Sequence, residues 1–144
     1  DGELELEITE TAAMSDPELA VQQLNGLSQL GVSLAIDDFG TGYSSLAYLK
    51  KLPINTLKLD RAFVGDIEND RNDAEICMAT IALAHNLGLK VVAEGVETTV
   101  QRDFLTEHCC DYLQGYLFSK PLPPVAAGRL LETRYCRQQA ETSL

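Results

Sequence analysis

Short runs of alternating apolar and polar residues recur along the chain, and longer segments with apolar residues at helical spacing separate them. The run from Leu4 to Ile8 alternates strictly, which is typical of a strand with one buried face. The segment after it is predicted to be a helix, because Asp16 and Pro17 favour a helix start and Gly31 a helix end. Five strands are predicted in this way, at residues 3–8, 32–37, 56–60, 90–94 and 111–117.

Further helical patterns separate and follow the later strands, at about residues 45–51, 73–86, 98–107 and 125–138. Strands separated by helices indicate parallel βα units and an α/β fold, either a (β/α) barrel or an open sheet. No shift in composition marks a second domain. We therefore assign residues 1–138 to one domain, and we expect residues 139–144 to form a polar, frayed C-terminal tail.

Within each predicted strand, bulky aliphatic residues share one face, and the other face ends in a polar or ionisable residue. In the first strand, Leu4, Leu6 and Ile8 share a face and leave Glu5 and Glu7 on the other. Barrels and open α/β sheets both build their sites at the C-terminal ends of strands, so these polar residues are expected to meet at one rim. The strand-end residues are Glu7, Asp37, Lys58, Glu94 and Gln114.

Two adjacent carboxylates, Asp37 and Asp38, precede the turn that contains Gly40 and Gly42. Neighbouring strand residues point to opposite faces, so this pair can bridge two sites only if the second residue lies where the strand breaks. We expect the glycines to supply that break. A solvated acidic turn is the simpler interpretation of so short a motif. The convergence of other carboxylates on the same rim favours a ligand site instead.

Four carboxylates are expected at this rim, those of Glu7, Asp37, Asp38 and Glu94. Close together they would repel one another without cations, and most of them would have to be protonated. Hard oxygen ligands with no His or Cys nearby select Mg²⁺ or Mn²⁺ over zinc. An adjacent Asp pair can bridge two metals about 3.5–4 Å apart, the spacing used in phosphodiester hydrolysis. Lys58 is suited to orient the attacking water or to offset phosphate charge, and its alternative role is that of an internal counter-ion.

The net charge of −11 argues against a large nucleic acid partner, because phosphate contacts need Lys and Arg. A small anionic ligand stays compatible with this charge if metal ions intervene. No apolar run approaches the length of a membrane span, so no membrane contact is expected from this segment. The cysteines show no CxxC spacing, which together with the absence of a signal pattern favours a reduced, cytoplasmic protein.

Five motifs, in order and spacing, resemble those of the EAL-domain phosphodiesterases. They are Leu6-Glu7-Ile8-Thr9-Glu10, Asp37-Asp38-Phe39-Gly40-Thr41-Gly42-Tyr43-Ser44-Ser45-Leu46, Leu57-Lys58-Leu59-Asp60, Glu94-Gly95-Val96-Glu97 and Gln114-Gly115-Tyr116. The resemblance implies a TIM-like (β/α)8 barrel, of which this chain would be the C-terminal part with about five βα units. It also implies an enzyme that hydrolyses the bacterial second messenger cyclic di-GMP to linear pGpG with two Mg²⁺ or Mn²⁺ ions.

The same resemblance implies a role for each matching residue. Glu7 and Asp37 are similar to the ligands of the first metal, with Asp37 bridging, and Asp38 and Glu94 to those of the second. Glu94 also resembles a general base, and Lys58 the family's water-orienting lysine. The residues implied in substrate binding are Gln114 and Asp60, and those implied in supporting the loop that the family links to dimerisation are Glu10, Gly42, Ser44 and Glu97.

The chain departs from the family in lacking the Glu-Ala-Leu motif and the Asn ligand of the following strand, and no residue here replaces them by position. We therefore expect these 144 residues by themselves to be inactive and prone to dimerise. Expected partners are cyclic di-GMP, a second copy and, in the parent chain, GGDEF or sensor domains. Two alternatives stay open, a degenerate EAL domain that binds cyclic di-GMP as a receptor without cutting it, and a structural or dimerisation module. The retained acidic residues favour the enzyme.

Overall fold

In the part of the chain that the structure describes, five parallel strands form one sheet in which each strand pairs with the next one in the sequence. The computed structural model describes residues 4–40 and 46–141, with side chains as far as residue 133. The strands are β1 (Glu5–Thr9), β2 (Ser33–Phe39), β3 (Thr56–Leu59), β4 (Lys90–Ala93) and β5 (Tyr112–Leu113). The parallel βα architecture expected from the sequence is confirmed.

Helices connect the strands and follow the last one. In the described residues they are α1 (Glu10–Ser15), α2 (Pro17–Gln29), α3 (Leu46–Leu49), α4 (Arg61–Gly65), α5 (Arg71–Asn86), α6 (Thr99–Glu107) and α7 (Pro124–Glu141). Among these helices, none combines the length and the apolar character that a membrane span requires. Helix α7 ends at Glu141, three residues beyond the predicted end at 138.

Side-chain caps define the helix starts that the sequence predicted. Asp16 caps α2 by accepting a hydrogen bond from the Leu19 N–H at 3.1 Å, and Pro17 occupies the first turn. Thr98 caps α6 in a capping box with Gln101. Helices α1 and α4 were not predicted from the sequence, because each is too short to show a hydrophobic period.

The prediction of a fifth strand over residues 111–117 is wrong beyond Leu113, where β5 ends. The chain turns away at this point because the Gln114 carbonyl accepts a hydrogen bond from the Val96 N–H at 3.0 Å. The Leu117 N–H then donates to the Val96 carbonyl, also at 3.0 Å. These bonds belong to a loop contact between the ends of β4 and β5, which replaces further pairing along the sheet.

The two faces of the sheet have the chemistry predicted from strand alternation. The aliphatic face packs against the helices and forms the core, with Leu34 and Ile36 each 1% exposed. The opposite face carries polar side chains together with the smaller apolar residues Ala35 and Val92, and the Thr56 hydroxyl donates a hydrogen bond to Glu5 at 2.9 Å. One face therefore supplies the burial that stabilises the fold, and the other supplies the chemistry.

Strand β1 forms one edge of the sheet, and an open groove of about 410 Å³ runs between its apolar face and α2. Leu6 and Leu19 line this groove and are 37% and 46% exposed. In the described residues β1 pairs on one side only, so its outer N–H and C=O groups are free to pair with another chain.

The 144-residue chain purified by itself is expected to self-associate, because an exposed strand edge and exposed leucines favour pairing between copies. Its net charge of −11 opposes association, so added salt should increase the associated fraction. Light scattering at low and high ionic strength measures this. Leu6→Lys places a charge in the groove and should reduce association. A mass of 15.8 kDa at every concentration and salt level would contradict the expectation.

At the N-terminal ends of the last two strands, Asp111 joins the start of β4 to the end of α5. Its carboxylate lies 2.7 Å from Lys90 Nζ and 2.8 Å from His85 Nε2, and it accepts the Val91 N–H at 3.0 Å. Burial by itself would raise the pKa of Asp111, but the hydrogen bonds from Lys90, His85 and Val91 outweigh it and lower that pKa to about 2.

Asp111→Asn is expected to reduce the free energy of unfolding by about 1–2 kcal/mol at pH 6. This figure allows for solvent screening of the Lys90 charge, because the Lys90 side chain is 62% exposed. The folded-state pKa lies below the unfolded value, so this contribution is present above pH 4 and disappears as the pH falls towards 2. Urea unfolding of wild type and variant between pH 7 and pH 2 measures the difference. A difference that does not shrink on acidification would contradict the assignment.

Candidate active site

Three carboxylates surround the ammonium group of Lys58 at the C-terminal ends of the strands. Lys58 Nζ lies 2.5 Å from Glu7 Oε1, 2.6 Å from Glu94 Oε1 and 4.0 Å from Asp37 Oδ1. The Lys58 side chain is 8% exposed, whereas those of Glu7, Asp37 and Glu94 are 45%, 24% and 22% exposed. The predicted meeting of these four side chains at one rim is therefore confirmed, and the carboxylates still face solvent.

The charge of Lys58 is fixed by this environment. Burial by itself would lower its pKa, but hydrogen bonds to Glu7 and Glu94 and the charge of Asp37 raise the pKa above its ordinary value. Lys58 is therefore positively charged near neutral pH. It can donate hydrogen bonds and offset negative charge, and it cannot accept a proton.

Asp38 is the residue at which β2 breaks. It has a φ of 55°, and its backbone N–H donates to Asp37 Oδ1 at 2.9 Å. The pairing of β2 with β3 is irregular between Ile36 and Phe39. The break expected at the glycines begins earlier in the chain, at Asp38, and Gly40 with a φ of 98° continues it. Aspartate tolerates this left-handed conformation because its short side chain bonds locally.

The broken strand brings Asp38 to Asp60, the residue after β3. A hydrogen bond between the two carboxyl groups, burial and the charges of Asp37 and Glu94 raise the pKa of Asp38. Asp60 also accepts the Ala62 N–H at 2.6 Å and so caps α4. The contact between Asp38 and Asp60 was not predicted, because it depends on how the strand breaks.

Glu10 lies at the start of α1 and is 2% exposed. Its carboxylate accepts the Gly40 N–H at 3.0 Å, so it contacts the start of the turn that follows β2. Gly42 and Ser44, also expected to support this turn, lie outside the described residues. Glu97 is exposed, and its backbone N–H donates to Gln101 at 2.8 Å, which places it beside α6.

Gln114 follows β5 directly and lies at the same edge of the sheet as the acidic residues. Its backbone N–H donates to the Ala93 carbonyl at 2.8 Å, one residue before Glu94. The residue is exposed, so its amide group is accessible to a ligand. Sequence parity identified the position of Gln114, although the residue lies just beyond the strand and not within it.

The donor set at this rim consists of carboxylate oxygens, the ligands that Mg²⁺ and Mn²⁺ prefer. Three of these carboxylates lie around the single ammonium group of Lys58, so the rim holds more acidic than basic groups. In chemistry these residues therefore fit a divalent cation. Within the described part of the chain, however, no three His, Cys, Asp or Glu side chains are grouped closely enough to hold one in this conformation.

Comparison with known proteins places this fold and rim in a family. The profile of a family described as the EAL domain matches residues 1–121 of the chain. This chain belongs to the EAL domain family. Membership of this family explains the five sequence motifs, and the resemblance stated from the sequence is confirmed.

Relatives of this EAL chain include characterised proteins and solved complexes. It is 56% identical over 128 residues to the cyclic di-GMP phosphodiesterase NbdA of Pseudomonas aeruginosa, covering 89% of this chain and 16% of NbdA. A structure described as PaMucR phosphodiesterase, c-di-GMP complex, is 50% identical with a TM-score of 0.85, covering 86% of this chain and 50% of that one.

A manganese and cyclic di-GMP complex of Klebsiella pneumoniae BlrP1 is 36% identical with a TM-score of 0.74, covering 81% of this chain and 30% of that one. This EAL chain therefore spans about a sixth of the length of NbdA and half of the solved MucR chain. The fold that it shares with them is a TIM-like barrel, of which its five parallel strands form a part.

Proposed function

We propose that a complete EAL domain carrying this sequence hydrolyses cyclic di-GMP to linear pGpG. The observation that carries the proposal is the cluster of Glu7, Asp37 and Glu94 around Lys58, with Asp38 beside it, at the rim where parallel strands end. Membership of the EAL family supports the proposal, and so do the names of relatives that are cyclic di-GMP phosphodiesterases. A cytoplasmic location fits this substrate.

The proposed metal ligands are Glu7 and Asp37 for one ion and Asp38 and Glu94 for the other, with Asp37 shared. Two bound Mg²⁺ or Mn²⁺ ions would supply activation of the attacking water and neutralisation of phosphate charge. The carboxylate donor set supports this assignment, and a manganese complex of a relative supports the choice of metal. Glu7 and Glu94 would bind the ions through carboxylates that contact Lys58 in this structure.

Lys58 would then point its ammonium group at the attacking water or at the phosphate. Because it is a permanent cation, it orients and stabilises, and it leaves proton removal to a carboxylate. We assign that general-base role to Glu94, which is 2.6 Å from Lys58 and partly open to solvent. Glu94, the proposed base, and Lys58, the proposed orienting donor, therefore contact each other directly before substrate binds.

The remaining rim residues would hold the substrate and the turn after β2. Gln114 and Asp60 are proposed to contact cyclic di-GMP. The proposed supports of the turn are Glu10, Gly42, Ser44 and Glu97. We further propose that the domain works as a homodimer, that GGDEF or sensor domains accompany it in the parent chain, and that residues 1–138 are its EAL portion, with 139–144 as a tail.

The test is hydrolysis of cyclic di-GMP by a purified complete EAL domain that carries this sequence, with Mn²⁺, with Mg²⁺ and with chelator. Chromatography should detect pGpG only when a divalent ion is present. Tight binding of cyclic di-GMP without any product in either metal would support the receptor instead. The 144-residue chain assayed alone should give no product, since no residue in it replaces the missing Glu and Asn.

A further inference from the structure

The loops after β4 and β5 touch each other through their backbones. A Cβ atom added to Gly115 would lie 2.6 Å from the carbonyl carbon of Val96 and closer still to its oxygen and nitrogen. Gly115 is not among the described residues with positive φ, so its backbone conformation is open to any residue. Glycine is therefore required here by the close approach of Val96 and not by the turn itself.

Hydrogen bonds fix this contact on both sides. The Val96 N–H donates to the Gln114 carbonyl at 3.0 Å, and the Leu117 N–H donates to the Val96 carbonyl at 3.0 Å. The Val96 side chain is fully buried, so the loop has no room to move inwards. Any atom added at Gly115 must then push the loop that carries Glu94 away from the loop that carries Gln114.

A second close approach fixes the other side of the same loop. A Cβ atom added to Gly95 would lie 2.5 Å from Arg61 Cβ and 3.3 Å from Arg61 Cα. Arg61 follows Asp60, and the Glu94 N–H donates to the Leu59 carbonyl at 3.1 Å. The segment from Glu94 to Val96 is thus held between the end of β3 and the end of β5.

We propose that Gly115 is a positioning residue of the active site. By admitting the Val96 backbone, it sets the separation of Glu94 from Gln114, and this inference rests on the proposed function. Ordinary contact distances imply that Gly115→Ala displaces the loops by about 1 Å, a misplacement that can cost about a hundredfold in rate. Gly115 itself contacts no substrate and acts only through these two residues.

The test compares three variants of a complete EAL domain that carries this sequence. Gly115→Ala is expected to lower kcat for cyclic di-GMP hydrolysis with Mn²⁺ by about a hundredfold. Gly26→Ala is the matched control, because no atom lies within 4 Å of a Cβ at Gly26 in α2. Ile81→Val removes a buried methyl group from α5 and controls for lost stability. Both controls should keep kcat within twofold at a temperature where all variants are folded.

Amide hydrogen exchange gives a readout that does not depend on activity. The Val96 and Leu117 amides should lose protection in Gly115→Ala and keep it in Gly26→Ala and Ile81→Val. The inference is overturned by unchanged protection, by a kcat within twofold of wild type, or by a rate loss that the unfolded fraction explains. If wild type itself makes no pGpG, the proposed function fails, and amide protection still decides whether Gly115 fixes the two loops.

Should Gly115→Ala not fold, Gly95→Ala is measured in the same way. Its added Cβ would meet Arg61 Cβ at 2.5 Å, and Gly95 has a φ of 74°, so this variant displaces the loop that carries Glu94 by close approach and by backbone strain together. A tenfold or larger fall in kcat with wild-type folding supports the same positioning of Glu94. A kcat within tenfold of wild type overturns the inference.

Discussion

Replacing Asp37 with alanine in a complete EAL domain that carries this sequence should lower the rate of cyclic di-GMP hydrolysis by about a thousandfold or more. Asp37 is the carboxylate proposed to bridge both metal ions, and its removal takes charge stabilisation from both. The fold should survive, because the Asp37 side chain is 24% exposed and lies outside the core. Steady-state production of pGpG with Mn²⁺ or Mg²⁺ measures the effect.

The neighbouring position is better tested with Asp38→Asn than with alanine. Asparagine tolerates the left-handed backbone of this residue, so the variant changes charge without adding strain. We expect a loss of similar size. Asp103→Ala is the control, because Asp103 is an exposed carboxylate on α6 that pairs only with Arg102 among its described partners. Retention of more than a tenth of the wild-type rate by Asp37→Ala would contradict the bridging role.

Lys58→Met should lower kcat by about a hundredfold or more, since it removes the only described cation that contacts both Glu7 and Glu94. Methionine keeps much of the volume of lysine and so isolates the loss of charge. Lys58→Arg keeps the charge with a different donor geometry, and it should restore only part of the rate. Rates with saturating Mn²⁺, together with thermal unfolding, separate catalysis from stability.

The alternative role of Lys58, that of an internal counter-ion, gives a different result. A counter-ion alone stabilises the fold by neutralising Glu7 and Asp37, and bound metal ions would replace it. Lys58→Met would then unfold at lower temperature without metal and keep a near-normal rate with metal. A rate within tenfold of wild type in saturating Mn²⁺ would therefore contradict the water-orienting role.

Strand alternation predicted the acidic rim because it is a local property of the chain. Glu7, Lys58 and Glu94 each follow an aliphatic neighbour, and this pattern fixes their face without any knowledge of what packs against the sheet. Parallel pairing then brings the strand ends to one edge. These two rules were enough to place three carboxylates within 4.0 Å of the Lys58 ammonium group.

Features that depend on distant contacts were missed or misplaced. The break at Asp38 follows from irregular pairing with β3 and from the contact with Asp60, and neither is visible in the local pattern. The early end of β5 follows from the approach of Val96 to Gly115. Gly115 lies inside the strand predicted at residues 111–117, and a glycine within a strand often marks a close backbone contact, so this residue was an unused signal of the early end.

The order of strands in the sheet also fixes the order in which the site can assemble during synthesis. Each strand pairs with the one before it, so a chain emerging from the ribosome can add strands one at a time. Glu7 and Lys58 are 51 residues apart, and the acidic side chains of β1 and β2 therefore meet before their cation arrives. The docking of β3 is the step at which a growing chain gains the charge that makes this rim stable.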